Sequence, residues 1–326
     1  MIKFIADVGS NFDGSLELAK FYIKICKKIG VDIVKFQCWD VNDLFSNYHP
    51  AYNKIKCSKK PLGLPLNWHK ELIELAKRED ITFSTTPTQP YHVEKLEEYG
   101  IEIYKISSGD ITFYPLIDEI NKTGKPVILS TGMSTICEIE RAVDRLHNCS
   151  KIVILHCVSL YPTKYEEVNL RAIEVIRERF KDIDVGVSDH TEGVDVVLAS
   201  VPYGISYIEK HITVDRGLGT PDAFFALTVT EFETMINKVR NVEKALGKRE
   251  KGPVDREIPE RYWARRGIYA KRDIKEGEPI DFDCLDFLRP QKGIPAEYFE
   301  LVIGKVSKKD IKAGTPLTWE LLEDGC

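Results

Sequence analysis

Short apolar runs rich in β-branched residues alternate with longer amphipathic segments over most of the chain. Short apolar runs are typical of buried strands, and an apolar repeat of three to four positions is typical of helices. Strands are predicted at residues 3–8, 33–37, 81–85, 103–107, 127–131, 152–158, 185–188 and 207–213. Helices are predicted at residues 15–29, 67–79, 89–99, 114–123, 134–147, 168–180, 193–203 and 228–246. Eight strands that alternate with eight helices predict an α/β fold, the (β/α)8 TIM barrel.

An open, doubly wound sheet is the main alternative for such an alternation. Its dinucleotide-binding form carries Gly-x-Gly-x-x-Gly after the first strand, and no such motif follows residues 3–8. Helix start signals are also present, since Ser134 or Thr135 followed by Glu138 has the form of a capping box. We therefore predict the closed barrel.

The segment 185–222 holds two histidines at the ends of neighbouring predicted strands. His190 and His211 each follow a short apolar run, and the helix-like residues 193–204 lie between them. Two parallel strands joined by a helix bring both imidazoles to the same end of the sheet. Neutral imidazoles are common ligands for zinc, manganese and iron. The alternative interpretation is two ordinary polar residues at strand ends.

Lysines lie inside three predicted strands. Lys35, Lys105 and Lys210 would be costly to bury without negatively charged partners, so they indicate an anionic ligand. Further hydroxyls and accessible backbone amides at strand ends come from Ser108-Gly109 and Ser130-Thr131-Gly132. In a barrel these groups surround one mouth, which is therefore predicted to bind phosphate or carboxylate oxygens.

Composition narrows the possible partners. The 326 residues are 43% hydrophobic and 30% charged, as in a globular protein. A net charge of -5 with scattered basic residues gives no reason to expect nucleic-acid binding. The chain has no signal-like apolar segment and no apolar run long enough for a membrane span, so a soluble, cytoplasmic protein is expected. Eight dispersed cysteines without Cys-x-x-Cys spacing indicate mostly buried, reduced thiols.

The motifs at these strand ends resemble those of the sialic acid synthase family, the nonulosonate synthases. The resemblance covers nearly the whole barrel and runs in family order. Its matching stretches are residues 11–15, 34–37, 104–110, 125–133, 156–162, 168–172, 188–191, 208–211 and 221–222. The resemblance implies a condensation of phosphoenolpyruvate with an open-chain N-acylated amino sugar, in which phosphate leaves.

The last part of the chain resembles the small antifreeze-like domain, or SAF domain, of these synthases. Residues 264–277 and 288–290 carry the match. We expect a barrel at residues 1–246, a charged linker with two prolines at 247–262 and a β-rich SAF domain at 263–326. The resemblance further implies a domain-swapped homodimer, in which Arg289 of one chain reaches the sugar in the partner's barrel.

The resemblance also assigns roles to individual residues. His190 and His211 would hold a divalent metal, Mn²⁺ or Mg²⁺ by resemblance, although two imidazoles also suit zinc or iron. Carboxylates near this metal would move protons, and the residues at the family's acidic positions are Asp7, Asp110 and Asp222. The substrate-binding positions are Lys35, Gln37, Thr86, Lys105, Ser108, Ser130, Tyr161, Ser188 and Arg289.

The chain departs from the family pattern at four positions. Asp7 stands where glutamate is usual, Phe12 where histidine is usual, and Thr85-Thr-Pro-Thr88 where Ser-Thr-Pro-Phe is usual. Phe12 and Thr88 are expected to reshape the sugar pocket. The long segment 40–65 after the second strand, with Tyr48, His49, Tyr52, Asn53 and Lys54, either contacts the sugar or is a variable surface loop.

Other functions stay open at this point. A 3-deoxy-sugar-acid synthase would share the barrel and phosphoenolpyruvate but use a phosphorylated aldose. A catalytically inactive barrel could have kept only binding. An aldolase would form a Schiff base at Lys35 or Lys105. The sequence does not identify the amino sugar.

Overall fold

Eight parallel strands close into a barrel in the first part of the chain, which confirms the predicted fold. The structure is a computed structural model and describes residues 1–325. The strands pair in chain order and the eighth pairs with the first, which removes any free edge. They are β1 (Lys3–Asp7), β2 (Ile33–Cys38), β3 (Thr82–Pro87), β4 (Ile103–Ile106), β5 (Val127–Ser130), β6 (Ile152–Cys157), β7 (Asp184–Asp189) and β8 (Tyr207–Thr213).

Helices connect successive strands and cover the outside of the barrel. They are α1 (Leu16–Lys28), α2 (Val41–Leu44), α3 (Tyr52–Lys56), α4 (His69–Arg78), α5 (Pro90–Tyr99), α6 (Tyr114–Lys122), α7 (Ile136–Arg145), α8 (Ala172–Arg179), α9 (Asp195–Ser200) and α10 (Val229–Leu246). The capping box predicted before α7 is present, with Thr135 as the cap and Glu138 as its partner. The short helices α2 and α3 were not predicted, and they lie in the segment that the sequence indicated as a long loop.

The interior of the barrel has an apolar layer at its centre and a polar layer above it. Ile5, Ile33, Ile103, Ile128, Val153, Leu155 and Tyr207 form the apolar cluster. Side chains two positions apart on a strand point to the same face. The residues two positions beyond members of this cluster therefore also point inward, at the carboxyl ends of the strands, and they include Asp7, Lys35, Lys105, Ser130, Cys157 and Glu209. The fold thus places ionisable groups in one layer at the mouth.

The chain divides into two compact units, Met1–Gly247 and a second unit that begins at Lys248. In the second unit, β10 (Gly267–Ala270) pairs antiparallel with β11 (Leu285–Leu288), and β12 (Val306–Ser307) pairs with β13 (Leu322–Glu323). Apolar side chains including Ile268, Ile274, Ile280 and Leu317 form a separate core. The short strand β9 (Leu227–Thr228) belongs to the barrel unit and pairs with β8.

The second unit contains a helix that begins within residues 247–262, where the sequence predicted a linker. Helix α11 (Ile258–Ala264) has Pro259 in its first turn, which suits proline because the first N–H groups of a helix have no partner within the helix. The short helix α12 (Phe299–Val302) packs Val302 into the core of the unit. No helix within residues 1–325 is long and apolar enough to cross a membrane.

Four of the cysteines are buried, namely Cys26, Cys38, Cys157 and Cys284. Cys57 and Cys137 are exposed, and all cysteines among residues 1–325 are free thiols. The eighth, Cys326, lies outside the described residues.

Candidate active site

A cavity of about 510 Å³ opens at the carboxyl ends of the barrel strands. Active sites of TIM barrels lie at this end because the loops that follow the strands surround it. Eleven of the predicted catalytic, substrate-binding and metal-binding residues line it, namely Asp7, Lys35, Gln37, Thr86, Lys105, Ser108, Asp110, Ser130, Tyr161, Ser188 and His190. Thr88, which was expected to reshape the sugar pocket, also lines it. The wall further contains residues without an assigned role, among them Trp39, Leu44, Phe45, Cys157 and Glu209.

A buried network of charges lies at the bottom of this cavity. The Lys35 ammonium is 2.7 Å from Asp7 Oδ2 and 3.1 Å from Glu209 Oε1. The Lys105 ammonium is 3.2 Å from the same Glu209 oxygen, to which Ser188 also donates a hydrogen bond of 3.0 Å. Glu209, on β8, therefore links two lysines and a serine that come from three other strands, β2, β4 and β7. Its second oxygen, Oε2, is buried without a hydrogen-bond partner among the described residues.

Burial and charge act against each other on the pKa values of these groups. Burial raises the pKa of Asp7, but Lys35 and His211 outweigh it and hold that pKa well below the usual range. Burial lowers the pKa of Lys35, yet Asp7 and Glu209 raise it above the ordinary lysine value. The pKa of Lys105 is lowered, first by burial and then by the neighbouring Lys35, and Glu209 compensates only in part. The two lysines thus differ, and Lys105 loses its proton more easily.

Glu209 and Cys157 were given no role from the sequence. Both follow from the alternation of side chains along a strand: Glu209 lies two positions before His211 on β8, and Cys157 lies two positions after the interior residue Leu155 on β6. Lys210 faces the other way, and its ammonium is 2.6 Å from Asp189 Oδ2, so the expectation that it faces an anionic ligand in the mouth is wrong.

The two predicted metal ligands lie next to each other, with ring centroids 5.5 Å apart. His190 Nδ1 donates to the Val158 carbonyl over 2.7 Å, which leaves the lone pair on its Nε2. His211 Nε2 is 3.3 Å from Asp7 Oδ2, and its Nδ1 is buried without a partner among residues 1–325. Each ring thus has one nitrogen fixed by an oxygen acceptor and the other available, which is the usual arrangement around a metal-ligating histidine.

The donor set therefore fits a divalent metal ion held by two imidazoles. Within residues 1–325 no group of three or more His, Cys, Asp or Glu side chains is arranged to hold a metal. A site with two protein ligands leaves its remaining positions to substrate and water. Tyr161 packs against this pair, with its ring centroid 4.3 Å from that of His190.

Asp222 lies beside the histidine pair but does not line the cavity. Its Oδ2 accepts hydrogen bonds from the Ser10 amide at 2.8 Å and the Ser10 hydroxyl at 2.6 Å. Gly9 has a φ of +52°, and a Cβ there would lie 2.5 Å from Asp222 Oδ2 and 3.2 Å from His211 Cε1. A side chain at Gly9 would therefore displace both groups.

Asp110 is the third predicted carboxylate, and it lines the cavity on the side of β4. Burial raises the pKa of Asp110, and the hydrogen bond donated by Ser107 lowers it only in part. Ser108 Oγ accepts from the Gly132 amide at 3.0 Å, which joins the loops after β4 and β5. The Ser130 hydroxyl is buried without a partner in the described chain, so it is free to bind a ligand oxygen.

The remaining predicted residues lie elsewhere. His211 is buried behind the cavity wall, and Arg289 belongs to the second unit. Phe12, which was expected to reshape the sugar pocket, is fully buried in the core with its ring 6.2 Å from Trp68, so that expectation is wrong. Of the five residues singled out in segment 40–65, only His49 lines the cavity.

Two regions of the chain match known families: residues 22–251 match the NeuB family and residues 265–323 the SAF domain. An uncharacterized protein of Methanocaldococcus jannaschii is 41% identical over 97% of this chain and 93% of its own length. The N,N'-diacetyllegionaminic acid synthase of Campylobacter jejuni is 38% identical over 94% of this chain and 96% of its own length. A crystal structure of N-acetylneuraminic acid synthetase from Leptospira borgpetersenii superposes with a TM-score of 0.73, at 32% identity over 79% of this chain and 90% of that one.

Proposed function

Since this chain belongs to the NeuB family and carries a SAF domain, we propose that it condenses phosphoenolpyruvate with an N-acylated amino sugar to give a nonulosonic acid and phosphate. Carbon 3 of phosphoenolpyruvate bonds to the aldehyde carbon of the open-chain sugar, and water adds its oxygen to carbon 2. The bond from carbon 2 to the phosphate oxygen breaks. The two protons of water end on the new hydroxyl group and on phosphate, so the reaction needs no redox partner.

The observation that carries this proposal is a cavity lined by two buried lysines, with His190 in its wall and His211 directly behind it, each histidine having one nitrogen free to bind a metal. Lys35 and Lys105 supply positive charge for the phosphate and carboxylate of phosphoenolpyruvate. Hydroxyls of Thr86, Ser108, Ser130 and Ser188, together with the Gln37 amide, supply further hydrogen bonds from the same wall. Among these groups the Ser130 hydroxyl is the strongest candidate to donate a hydrogen bond to a ligand oxygen, because it is buried without a partner in the described chain.

His190 and His211 would hold the divalent ion, Mn²⁺ or Mg²⁺. When bound, this ion supplies a Lewis acid for the aldehyde oxygen. Asp7 fixes the His211 ring through Nε2 and so keeps Nδ1 available. A carboxylate whose pKa is held so low is a weak base, so we assign Asp7 a positioning role.

Asp110 and Asp222 are the proposed proton carriers. The raised pKa of Asp110 brings it closer to the range in which a carboxyl group exchanges protons readily, and it lines the cavity. Asp222 is held by Ser10 beside the histidine pair, where the new hydroxyl group would form. Tyr161 packs against His190 at a tilt and lines the cavity, where it would border the sugar.

A panel of substrates tests this function. Phosphate release from phosphoenolpyruvate is measured with Mn²⁺ and N-acetylmannosamine, 6-deoxy diacetamido hexoses, or phosphorylated arabinose and erythrose. Release with amino sugars only is expected. Release with the phosphorylated aldoses only would favour the 3-deoxy-sugar-acid synthase, and no release with any sugar would favour an inactive binding protein. Trapping of a lysine by borohydride with pyruvate would indicate the aldolase.

The lowered pKa of Lys105 predicts that activity with phosphoenolpyruvate is lost at a lower alkaline pH than an ordinary lysine would give. As the pH rises through this pKa, Lys105 loses the charge that binds the substrate anion. The pH at which kcat/KM for phosphoenolpyruvate falls should therefore lie below 10.5, the ordinary pKa of lysine. The Lys105→Arg variant keeps its charge to about pH 12 and should move the limit upward. A limit that is unchanged in this variant would exclude Lys105 as its source.

Arg289 is proposed to act in the partner's active site of a homodimer. We expect Arg289→Ala to raise KM for the sugar by about 10- to 50-fold, the size of a lost charge-assisted hydrogen bond, and to leave KM for phosphoenolpyruvate unchanged. Mixing Arg289→Ala with His211→Ala chains under conditions of subunit exchange should restore about a quarter of wild-type activity, because half of the random dimers contain one intact site. Action within one chain predicts no restoration.

A further inference from the structure

A buried ion pair lies on the outer face of the barrel wall, next to the histidine pair. Lys210 on β8 stands opposite Asp189 on β7 in the strand register, and its ammonium is 2.6 Å from Asp189 Oδ2. The two side chains are only 2% and 1% exposed. A buried ion pair adds little net stability compared with well-packed apolar residues, because both ions lose their hydration. Stability of the fold alone therefore does not account for this pair.

The Lys210 ammonium binds the residues on both sides of His190. It donates to the Asp189 carboxylate and, over 2.7 Å, to the Thr191 carbonyl. Asp189 Oδ1 in turn accepts a hydrogen bond of 2.9 Å from the Thr191 amide, and Oδ2 accepts one of 3.1 Å from the Thr191 hydroxyl. These bonds close a tight turn with His190 at its centre. Lys210, Asp189 and Thr191 thus form a clamp around one of the two predicted metal ligands.

The clamp also holds the second ligand, because Lys210 directly precedes His211 on β8. Side chains alternate along the strand, so Lys210 points outward to the clamp while His211 points into the barrel. The backbone on both sides of His190 is therefore tied to the residue next to His211. The Val158 carbonyl and Asp7 orient the two rings, whereas the clamp fixes the backbone from which the rings project.

We propose that Lys210 and Asp189 are positioning residues, which hold His190 and His211 at the spacing that a divalent metal ion requires. This inference rests on the proposed function, because it takes the histidine pair as the metal site. Groups that orient metal ligands without touching the metal commonly change its affinity by about 10- to 100-fold. Ligands that are fixed before the metal arrives also need less ordering when it binds.

Binding of Mn²⁺ to the metal-free protein, without substrates, tests this proposal. The signal of free Mn²⁺ in electron paramagnetic resonance measures the affinity, and Lys210→Met should weaken it by about 10- to 100-fold. The sign is informative, because removing a positive charge near a cation site would by itself strengthen Mn²⁺ binding. In the metal-free variant, the backbone amides of residues 189–192 should also exchange hydrogen faster than in the wild type.

Two further variants separate positioning from stability. Lys210→Met leaves Asp189 buried without its ion partner, so its Tm should fall. Combining it with Asp189→Leu removes both ions and should restore most of the Tm, while Mn²⁺ affinity should stay at least about tenfold below that of the wild type. This double variant carries the test if Lys210→Met does not fold. Ile208→Ala is the matched control, because Ile208 is fully buried two positions before Lys210 on the same face of β8. It should lower the Tm and leave Mn²⁺ affinity unchanged.

The outcomes distinguish this inference from the proposed function. Wild-type Mn²⁺ affinity in a folded Lys210→Met variant would overturn the inference, and so would an affinity that recovers together with the Tm in the double variant. An equal loss of affinity in Ile208→Ala would also overturn it, because any loosening of β8 would then suffice. A wild-type chain that binds no Mn²⁺ would overturn it as well. Phosphate release from phosphoenolpyruvate with amino sugars decides the proposed function separately in each case.

Discussion

Replacing His211 with alanine is expected to abolish Mn²⁺ binding and to lower kcat/KM by about a thousand-fold or more, which corresponds to about 4 kcal/mol of transition-state stabilisation. The reason is geometric. The His211 Nδ1 atom is buried without a partner among the described residues, whereas Nε2 already faces Asp7. Nδ1 is therefore the ring nitrogen that can bind the metal. His190→Ala should have a loss of similar size, because its Nε2 is the matching free nitrogen.

The two readouts of this experiment are phosphate release and the signal of free Mn²⁺ in electron paramagnetic resonance. Asp7→Asn should give an intermediate loss of about 10- to 100-fold, as expected for a group that orients a metal ligand. His147→Ala is the control: His147 is exposed and lies just after α7, so both readouts should be unchanged. Full Mn²⁺ affinity in a folded His211→Ala variant would contradict the metal site.

The barrel could be predicted from the sequence because each strand is a short apolar run, and each helix repeats apolar residues every three to four positions. The same rules predicted which residues reach the mouth: β1 and β5 end in Asp7 and Ser130, and β2 and β4 carry Lys35 and Lys105. Strand alternation also contains the position of Glu209, two residues before His211. Its role was missed because the sequence does not show that Glu209 lies between Lys35 and Lys105 in space. These lysines belong to strands that are far apart in the chain.

Lys210 seemed equivalent to Lys105, but the alternation along β8 that points Glu209 and His211 inward points Lys210 outward, toward Asp189. Two other features depend on contacts that no local pattern encodes. Phe12 follows polar residues near the mouth, but its ring packs on Trp68 in the core. Trp39, Phe45 and His49 reach the cavity from a segment whose shape is fixed by Gln89 and Tyr91 at the start of α5. Side-chain direction and long-range anchors therefore limit prediction more than the positions of strands and helices do.

Glu209→Gln is expected to lower kcat/KM for phosphoenolpyruvate by about 100- to 1,000-fold at neutral pH. Glu209 is among the groups that raise the pKa of Lys105, whereas burial and Lys35 lower it. Removing the negative charge of Glu209 therefore lowers the pKa of Lys105 further, and the lysine becomes neutral at a lower pH. Lys35 keeps Asp7 as its partner at 2.7 Å and should stay charged.

The sign of the pH dependence makes this prediction specific. Because the lost activity comes from a missing proton on Lys105, the Glu209→Gln variant should recover as the pH falls, while the wild type should not gain. Glu209→Asp keeps the charge and should retain more activity than Glu209→Gln at every pH. Chemical denaturation should also show a destabilisation of about 3–5 kcal/mol, since one buried ion has lost its partner. A loss of activity that does not vary with pH would instead make Glu209 a direct participant in proton transfer, and its unpaired Oε2 is the atom that would then contact the substrate.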